Sequence, residues 1–238
     1  VKGFAKAGWH TIIHYRSSSD PAQELADTLP SAETVKCDLS DGDAAEAMIQ
    51  QLLVERPDLR CLVNSASVFD YDSATKLDPA TNREAMQVNA TSPARMAQAF
   101  LRPPAGPDVR SVIQITDMKL RNTNPDFFSY TMSKHAHAST IGMLAKHYAN
   151  DAAKRIYGIA PGAILASHDQ TEDETDTSHR LNLLGRKTGP EEIVDAALFL
   201  SQGVLKSGST LYIDSGQHLL SQPRDVIYLA REQEEAAG

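Results

Sequence analysis

The stretch "VRSVIQITDMKLRNTNPDFFSYTMSKHA", Val109 to Ala136, decides the fold. Val109 to Thr116 is rich in apolar and β-branched residues and reads as a strand. A polar connection containing Pro125 follows, and then a long helix from roughly Ser129 to Asn150. The next apolar run, "RIYGIAP" (Arg155 to Pro161), is again a strand. Strand, crossover helix and strand in that order make a βαβ unit, in which the two strands run parallel.

The alternation extends outward in both directions. Upstream, "VKGFAKAG" is a helix stopped by Gly8, and "HTIIHYR" (His10 to Arg16) is a strand. "DPAQELADTL" is a helix with Asp20 as N-cap and Pro21 at its first position. "ETVKCDL" is a strand and "DGDAAEAMIQQLLVERP" a helix. "RCLVNSAS" is a third strand, nearly all apolar and so expected to be buried on both faces, and another long helix covers roughly Pro79 to Leu101. Downstream, "PEEIVDAALFLSQ" is a helix and "STLYIDSG" a last strand. Without repeat or linker, this is the pattern of a single α/β domain over residues 1–238, a Rossmann-like doubly wound parallel sheet. Because the alternation begins on a helix, a first strand is expected ahead of Val1.

Charge and composition narrow the function. Among 238 residues, 23 Lys+Arg face 31 Asp+Glu for a net −8, and no basic stripe offers a nucleic-acid surface. No apolar run approaches the ~20 residues that span a bilayer. Cys37 and Cys61 sit at the edges of apolar segments and read as small core residues. With no secretory signal visible, a soluble cytoplasmic protein is expected. One stretch is irregular, Ala166 to Gly189, polar and acidic without strong periodicity; it is either a solvated loop or a lid over a site. Its Asp, Glu and His residues lack metal-ligand spacing.

Several residues carry chemistry. Helical spacing puts Tyr130 and Lys134 on one face, about one turn apart, where an ammonium favours the phenolate form of tyrosine. Alone, such a pair is ordinary helix decoration. Partners occur in order: Asp117, thirteen residues before Tyr130, and Asn64 to Ser67, which end a strand at the carboxyl edge where doubly wound sheets bind ligands. In "QVNATSP", Pro93 clashes with the carbonyl of Asn89 and frees it from the helix ladder, so that it can hold a water. Asn89 either marks a kink or ends a proton relay.

Together these pieces resemble the short-chain dehydrogenase/reductase family over essentially the whole chain. The matches are Asp38 in "CDLS", the Asn64-Ser65-Ala66-Ser67 variant of the family's NNAG, Asn89, Tyr130 with Lys134, "PGAI" from Pro161 to Ile164, and "DSG" from Asp214 to Gly216. The resemblance implies a nicotinamide cofactor, Tyr130 as proton donor, Lys134 as its tuner and ribose ligand, and Asn89 as holder of the relay water. It also implies that Asp38 and Leu39 line the adenine, that Asn64, Ser65, Ala66, Ser67 and Thr116 line the cofactor's middle, and that Pro161, Gly162 and Ile164 flank the nicotinamide. The glycine-rich turn that cradles the pyrophosphate is expected a few residues before Val1.

The first strand shown ends "HYRSS", where Arg16 and Ser17 offer a phosphate partner and no carboxylate for a ribose hydroxyl, so NADPH is the expected cofactor. The alternative reading of Arg16 is a solvated arginine at a strand end. Where most of the family places a serine, this chain has Asp117. That feature, with "HYRSS", Phe69 five residues after Asn64 and "DSGQHL", is similar to the pteridine and dihydromonapterin reductases. The similarity implies that Phe69 stacks on a pterin ring, unless it is core filler. It implies that Asp117 orients a ring nitrogen and, through Tyr130 or water, delivers the proton that follows hydride transfer to a C=N bond. Asp117 as a loop cap, binding backbone amides near Met118 and Lys119, is the plainer reading. Two other functions stay open: a carbonyl reductase acting on 3-oxoacyl groups, and a catalytically silent nucleotide-binding regulator. The family commonly forms homotetramers, which implies one here. The tail from Gln222 is expected to close a neighbouring subunit's site or to cover the sheet edge.

Overall fold

The computed structural model describes residues 1–104, 108–167 and 170–237. Six strands and nine helices alternate along these residues: α1 (Lys2–Lys6), β1 (Thr11–Tyr15), α2 (Ser19–Asp27), β2 (Ala32–Lys36), α3 (Gly42–Glu55), β3 (Cys61–Asn64), α4 (Pro79–Met86), α5 (Ser92–Leu101), β4 (Arg110–Ile115), α6 (Phe128–His147), β5 (Lys154–Pro161), α7 (Glu172–Ser178), α8 (Pro190–Ser201), β6 (Thr210–Ile213) and α9 (Val226–Ala237). Every ladder is parallel: β1 pairs with β2, and β3, β4, β5 and β6 form a four-stranded sheet in that order. This is a single-domain Rossmann-like α/β fold.

The two-residue period of the strands sorts side chains between two helical layers. Val112 of β4 and Ile156 of β5 face a core shared with α3, α5 and α6, through Ile49, Leu52, Phe100 and Ile141. Their neighbours Ile113 and Tyr157 face the other side, against Ala196, Ala197 and Leu200 of α8. Parallel strands covered on both faces in this way need apolar residues at consecutive positions.

Three expectations are corrected. β3 is not buried on both faces: Val63 is 38% exposed, and among the described residues β3 pairs along its β4 edge alone. The first turn of α2 starts two residues early, with Ser18 in the cap position and Asp20 already inside the helix. The expected long helix from Pro79 to Leu101 is continuous but contains a π-helical turn, Gln87–Thr91, just before Pro93. A proline that cannot bond four residues back forces this widening.

The stretch from 166 to 189 is not a loop throughout. Thr171 and Glu174 form a reciprocal capping box at the start of α7, whose polar sequence hides its helical period. His168 and Asp169 of that stretch lie outside the described residues. Cys37 and Cys61 are free thiols, and burial pushes Cys61 up to about 12.

Candidate active site

The carboxyl ends of β3, β4 and β5 open on one cleft of about 300 Å³. Ser65 and Ser67 follow β3, Thr116 and Asp117 follow β4, and Gly162 and Ile164 follow Pro161 at the end of β5; all seven line it. Phe69, Tyr130 and Lys134 complete that wall. Crevices of this kind are where open parallel sheets bind ligands, because the chain turns away there and leaves backbone groups and short side chains at the edge.

Tyr130 is delivered by a helix whose start is fixed from a distance. Phe127, in the N-cap position of α6, adopts a left-handed backbone with φ 52°. Asp72, buried and far back in the chain, supplies the cap: its Oδ1 accepts from Ser129 N at 2.8 Å and its Oδ2 from Ser129 Oγ at 2.5 Å. The first turn of α6 then aims the Tyr130 hydroxyl at Asp117, and it donates to Asp117 Oδ2 at 2.6 Å. The other carboxylate oxygen, Asp117 Oδ1, accepts from Lys119 N at 2.8 Å. Loop capping and contact with Tyr130 are thus both present, one on each oxygen.

The electrostatics correct one expectation. Lys134 does not draw the Tyr130 phenol toward phenolate. Burial, with the neighbouring Asp117 carboxyl second, pushes Tyr130 well above the ordinary tyrosine value. Burial likewise raises Asp117 above the usual carboxylate range, against its hydrogen bonds from Tyr130 and Lys119. Burial thus raises the proton affinity of both members of the pair. Lys134 Nζ donates to Ile115 O at 3.0 Å, and burial pulls its pKa down to about 8. An ammonium has three donors. Those left over face the cleft, and they suit the hydroxyl groups of a cofactor ribose.

Other expected residues lie elsewhere. Asn89 turns its side chain into structure: Oδ1 accepts from Val68 N at 2.8 Å, while Nδ2 donates to Val68 O at 2.9 Å and to Ser133 Oγ at 3.0 Å. Asn64 is buried against Gln114 Oε1, at 2.8 Å, and the Pro93 carbonyl, at 3.3 Å. Ala66 is exposed beside the cleft wall. Arg16 and Ser17 lie at the end of β1, with Arg16 57% exposed and 3.9 Å from Glu84. Asp38, just past β2, accepts from Ser40 N at 2.9 Å, and Leu39 is buried with its carbonyl bound by Ser92 Oγ at 2.7 Å. Gly162 has a packing reason to be glycine: a Cβ there would come within 3.0 Å of the Asp214 backbone and 2.7 Å of Gln217 Oε1.

Phe69 stacks on Phe127 with centroids 4.0 Å apart and meets Tyr130 edge-on at 4.6 Å. It is both a packed aromatic and a cleft wall. The tail does something neither expectation described. Asp225, Val226 and Ile227 line the cleft of their own chain. Asp225 is anchored there by a buried ion pair with Lys119 at 2.6 Å, and Arg224, partly exposed, by an ion pair with the buried Asp126 at 2.8 Å. Only folding brings these partners together.

The family model described as enoyl-(acyl carrier protein) reductase matches residues 1–218. The chain belongs to the short-chain dehydrogenase/reductase family. It is an oxidoreductase of that family, which uses NAD(P)H. Among its relatives, the dihydromonapterin reductase of Escherichia coli is 24% identical over 223 residues, covering 89% of this chain and 90% of the relative. The 3-oxoacyl-[acyl-carrier-protein] reductase FabG of Chlamydia muridarum is 26% identical, covering 86% of this chain and 84% of its own. In structure, this family member superposes on FolM alternative dihydrofolate reductase 1 from Brucella suis, solved in complex with NADP, with a TM-score of 0.84 and 27% identity over 94% of this chain and 91% of the other.

Proposed function

We propose that this short-chain reductase uses NADPH to reduce a C=N bond of a dihydropterin- or dihydrofolate-type substrate. The observation that carries the reading is the Asp117–Tyr130 contact of 2.6 Å on the cleft wall. A carbonyl oxygen reduced by hydride also takes up a proton, but otherwise it offers a site only lone pairs, which call for hydrogen-bond donors. A ring nitrogen that is to become N–H asks for a proton and for an acceptor that holds the ring in place, and a carboxyl group bonded to a phenol supplies both. The similarity to a dihydromonapterin reductase and to a FolM dihydrofolate reductase supports the same substrate class.

In this reading Arg16 and Ser17 meet the 2′-phosphate, and Asp38 and Leu39 border the adenine. Asn64, Ser65, Ala66, Ser67 and Thr116 border the middle of the cofactor, and Pro161, Gly162 and Ile164 flank its nicotinamide. β1 and β3 each have one ladder among the described residues. Bound NADPH would supply the hydride for the C=N bond. Lys134 holds the ribose. Tyr130 gives its proton to the nitrogen that hydride transfer leaves strongly basic; burial and Asp117 keep the phenol protonated until then. Asp117 fixes the direction of the phenol and accepts from the substrate ring. Phe69 offers its ring to the flat substrate. Asn89 ties the strand-end loop at Val68 to α6 and stands at the far end of the proton path.

Carbonyl reduction is the second reading, favoured by the similarity to a 3-oxoacyl reductase. Oxidation of NADPH measured with dihydrobiopterin, dihydromonapterin, dihydrofolate and an acetoacetyl thioester separates them. The pterin reading expects kcat/KM to be highest for a dihydropterin; a higher value for the thioester overturns it.

A further inference from the structure

Two buried histidines have ring nitrogens without a hydrogen bond among the described residues, and they differ in what they face. His137, on α6 just beyond Lys134, has both nitrogens sealed in the core. His179, immediately after α7, is 5% exposed, and its residue lines the cleft with Asp117, Tyr130 and Gln170. The backbone of His179 is satisfied: its N–H donates to Thr175 O at 3.1 Å and its carbonyl accepts from Asn182 Nδ2 at 2.8 Å. The imidazole is not.

Neighbouring polar groups on this wall are already paired. Gln170 Nε2 donates to Ser178 Oγ at 3.1 Å, and Gln170 Oε1 accepts from Ser167 N at 3.0 Å. The element that presents His179 is rigidly seated: α7 has its capping box, and Glu174 Oε1 accepts from Arg231 Nε of α9 at 2.7 Å. Burial, with Lys187 second, lowers the proton affinity of His179 below the usual histidine range, so the ring is neutral. A neutral imidazole has one N–H donor and one acceptor. Unlike those of His137, the His179 ring nitrogens are not sealed from solvent, so they stay open in the cleft wall to a bound ligand that offers them partners.

We infer that His179 is a substrate-binding residue, whose imidazole hydrogen-bonds the polar edge of the substrate from the side of α7. The choice of edge rests on the pterin reading. The pyrimidinone half of a dihydropterin carries a carbonyl acceptor beside N–H and amino donors, remote from the C=N bond that Tyr130 and Asp117 serve. Either kind of group meets a neutral imidazole. His179 thereby contributes to selectivity among flat heterocycles, and takes no part in moving the hydride or the proton.

The test compares His179→Phe with His179→Gln, whose amide again offers a donor and an acceptor. With a dihydropterin, His179→Phe should raise KM about tenfold and leave kcat within about threefold, the pattern of lost binding. His179→Gln should recover most of that loss. Both variants should keep the NADPH Kd and the Tm of the wild type. A KM within about twofold of wild type in His179→Phe overturns the assignment. So does an equal rise in both variants accompanied by a lowered Tm, which is the mark of a packing role. Failure of the pterin reading shows in the wild type instead, as turnover of the acetoacetyl thioester alone. The same two variants assayed on the thioester then decide His179 by itself: a KM raised in Phe and rescued in Gln upholds it, and an unchanged KM overturns it.

Discussion

The ends of β4 and β1 handle charge in opposite ways. After β4, Asp117 faces Tyr130 and Lys134, which are 8% and 3% exposed, and each polar group there has a named partner within 3.0 Å. After β1, Arg16 is 57% exposed and its ion pair with Glu84 is loose at 3.9 Å. Burial makes the first place one where protonation states shift, as the raised Tyr130 and Asp117 and the lowered Lys134 show. Solvent keeps the second ordinary. Chemistry belongs where water is excluded and a proton has few places to go; recognition of a charged group can be left at the rim. Substitutions at the two ends should therefore differ in kind as well as in size.

The largest effect is expected at Tyr130. Tyr130→Phe removes the hydroxyl and keeps the ring that meets Phe69 edge-on at 4.6 Å. Its kcat should fall by at least ~10²-fold, the range for losing a general acid, while the NADPH Kd stays near that of the wild type. Stopped-flow binding and steady-state turnover measure the two separately. Near-normal turnover would shift the donor role to Asp117 and remove the distinction drawn between the two strand ends.

Asp117 divides its two oxygens between Tyr130 and Lys119 N, so two substitutions separate the jobs. Asp117→Asn retains a carbonyl oxygen for the cap and should keep the wild-type Tm. Asp117→Ala, which cannot cap, should lower stability by about 1 kcal/mol, the usual value of such a cap. Both should lose most dihydropterin turnover, and the ratio of dihydropterin to thioester activity should fall. An unchanged ratio in Asp117→Ala, with only the Tm reduced, would leave Asp117 as a loop cap and break the substrate assignment.

Lys134 yields a prediction with two opposite signs. Its pKa in the folded chain is about 8, against an ordinary value of 10.5. The ammonium that holds the ribose is lost as pH rises through about 8, so kcat/KM should fall there. Stability moves the other way. Between those two values the unfolded chain binds more protons than the folded one, so stability contributed by this site rises with pH. The Tm advantage of Lys134→Met, which carries no charge to desolvate, should therefore shrink from pH 7 to pH 10, a window set by the two pKa values. A pH–rate profile flat through pH 8 would place Lys134 outside the binding of cofactor.

How much of this was legible in the sequence depended on the reach of each contact. The strand at Val109–Thr116 and the helix carrying Tyr130 are written in local periodicity, and the residues at their facing ends follow from the βαβ connection. Hence Asp117, Tyr130 and Lys134 were found together. Asp72, which caps α6 from 57 residues away, left no local signal, and neither did the ion pair of Lys119 with Asp225. α7 was readable in principle from the Thr171 and Glu174 capping box, but its seven residues carry too few apolar positions to show a period. Val63 was misjudged because apolar composition reports the propensity of a strand, while exposure depends on which edges are paired.

The smallest effect is expected at the open end. Arg16 lies where a 2′-phosphate would distinguish NADPH from NADH, and a guanidinium meets phosphate through two parallel hydrogen bonds. In a dry site, loss of such a charge-assisted contact costs ~1.5–3 kcal/mol. Arg16 is 57% exposed, so solvent screening brings the expected loss toward the lower end. Glu84 works against it as well, since its carboxylate competes for the same guanidinium at 3.9 Å. Arg16→Ala should therefore raise the KM for NADPH by about tenfold and leave that for NADH nearly unchanged, and the difference should shrink as salt is added. Glu84→Gln should do the reverse to a lesser degree, tightening NADPH by freeing the cation. Equal changes for both cofactors in Arg16→Ala would show that this arginine is merely solvated, and that the choice between NADPH and NADH is made elsewhere along the cleft.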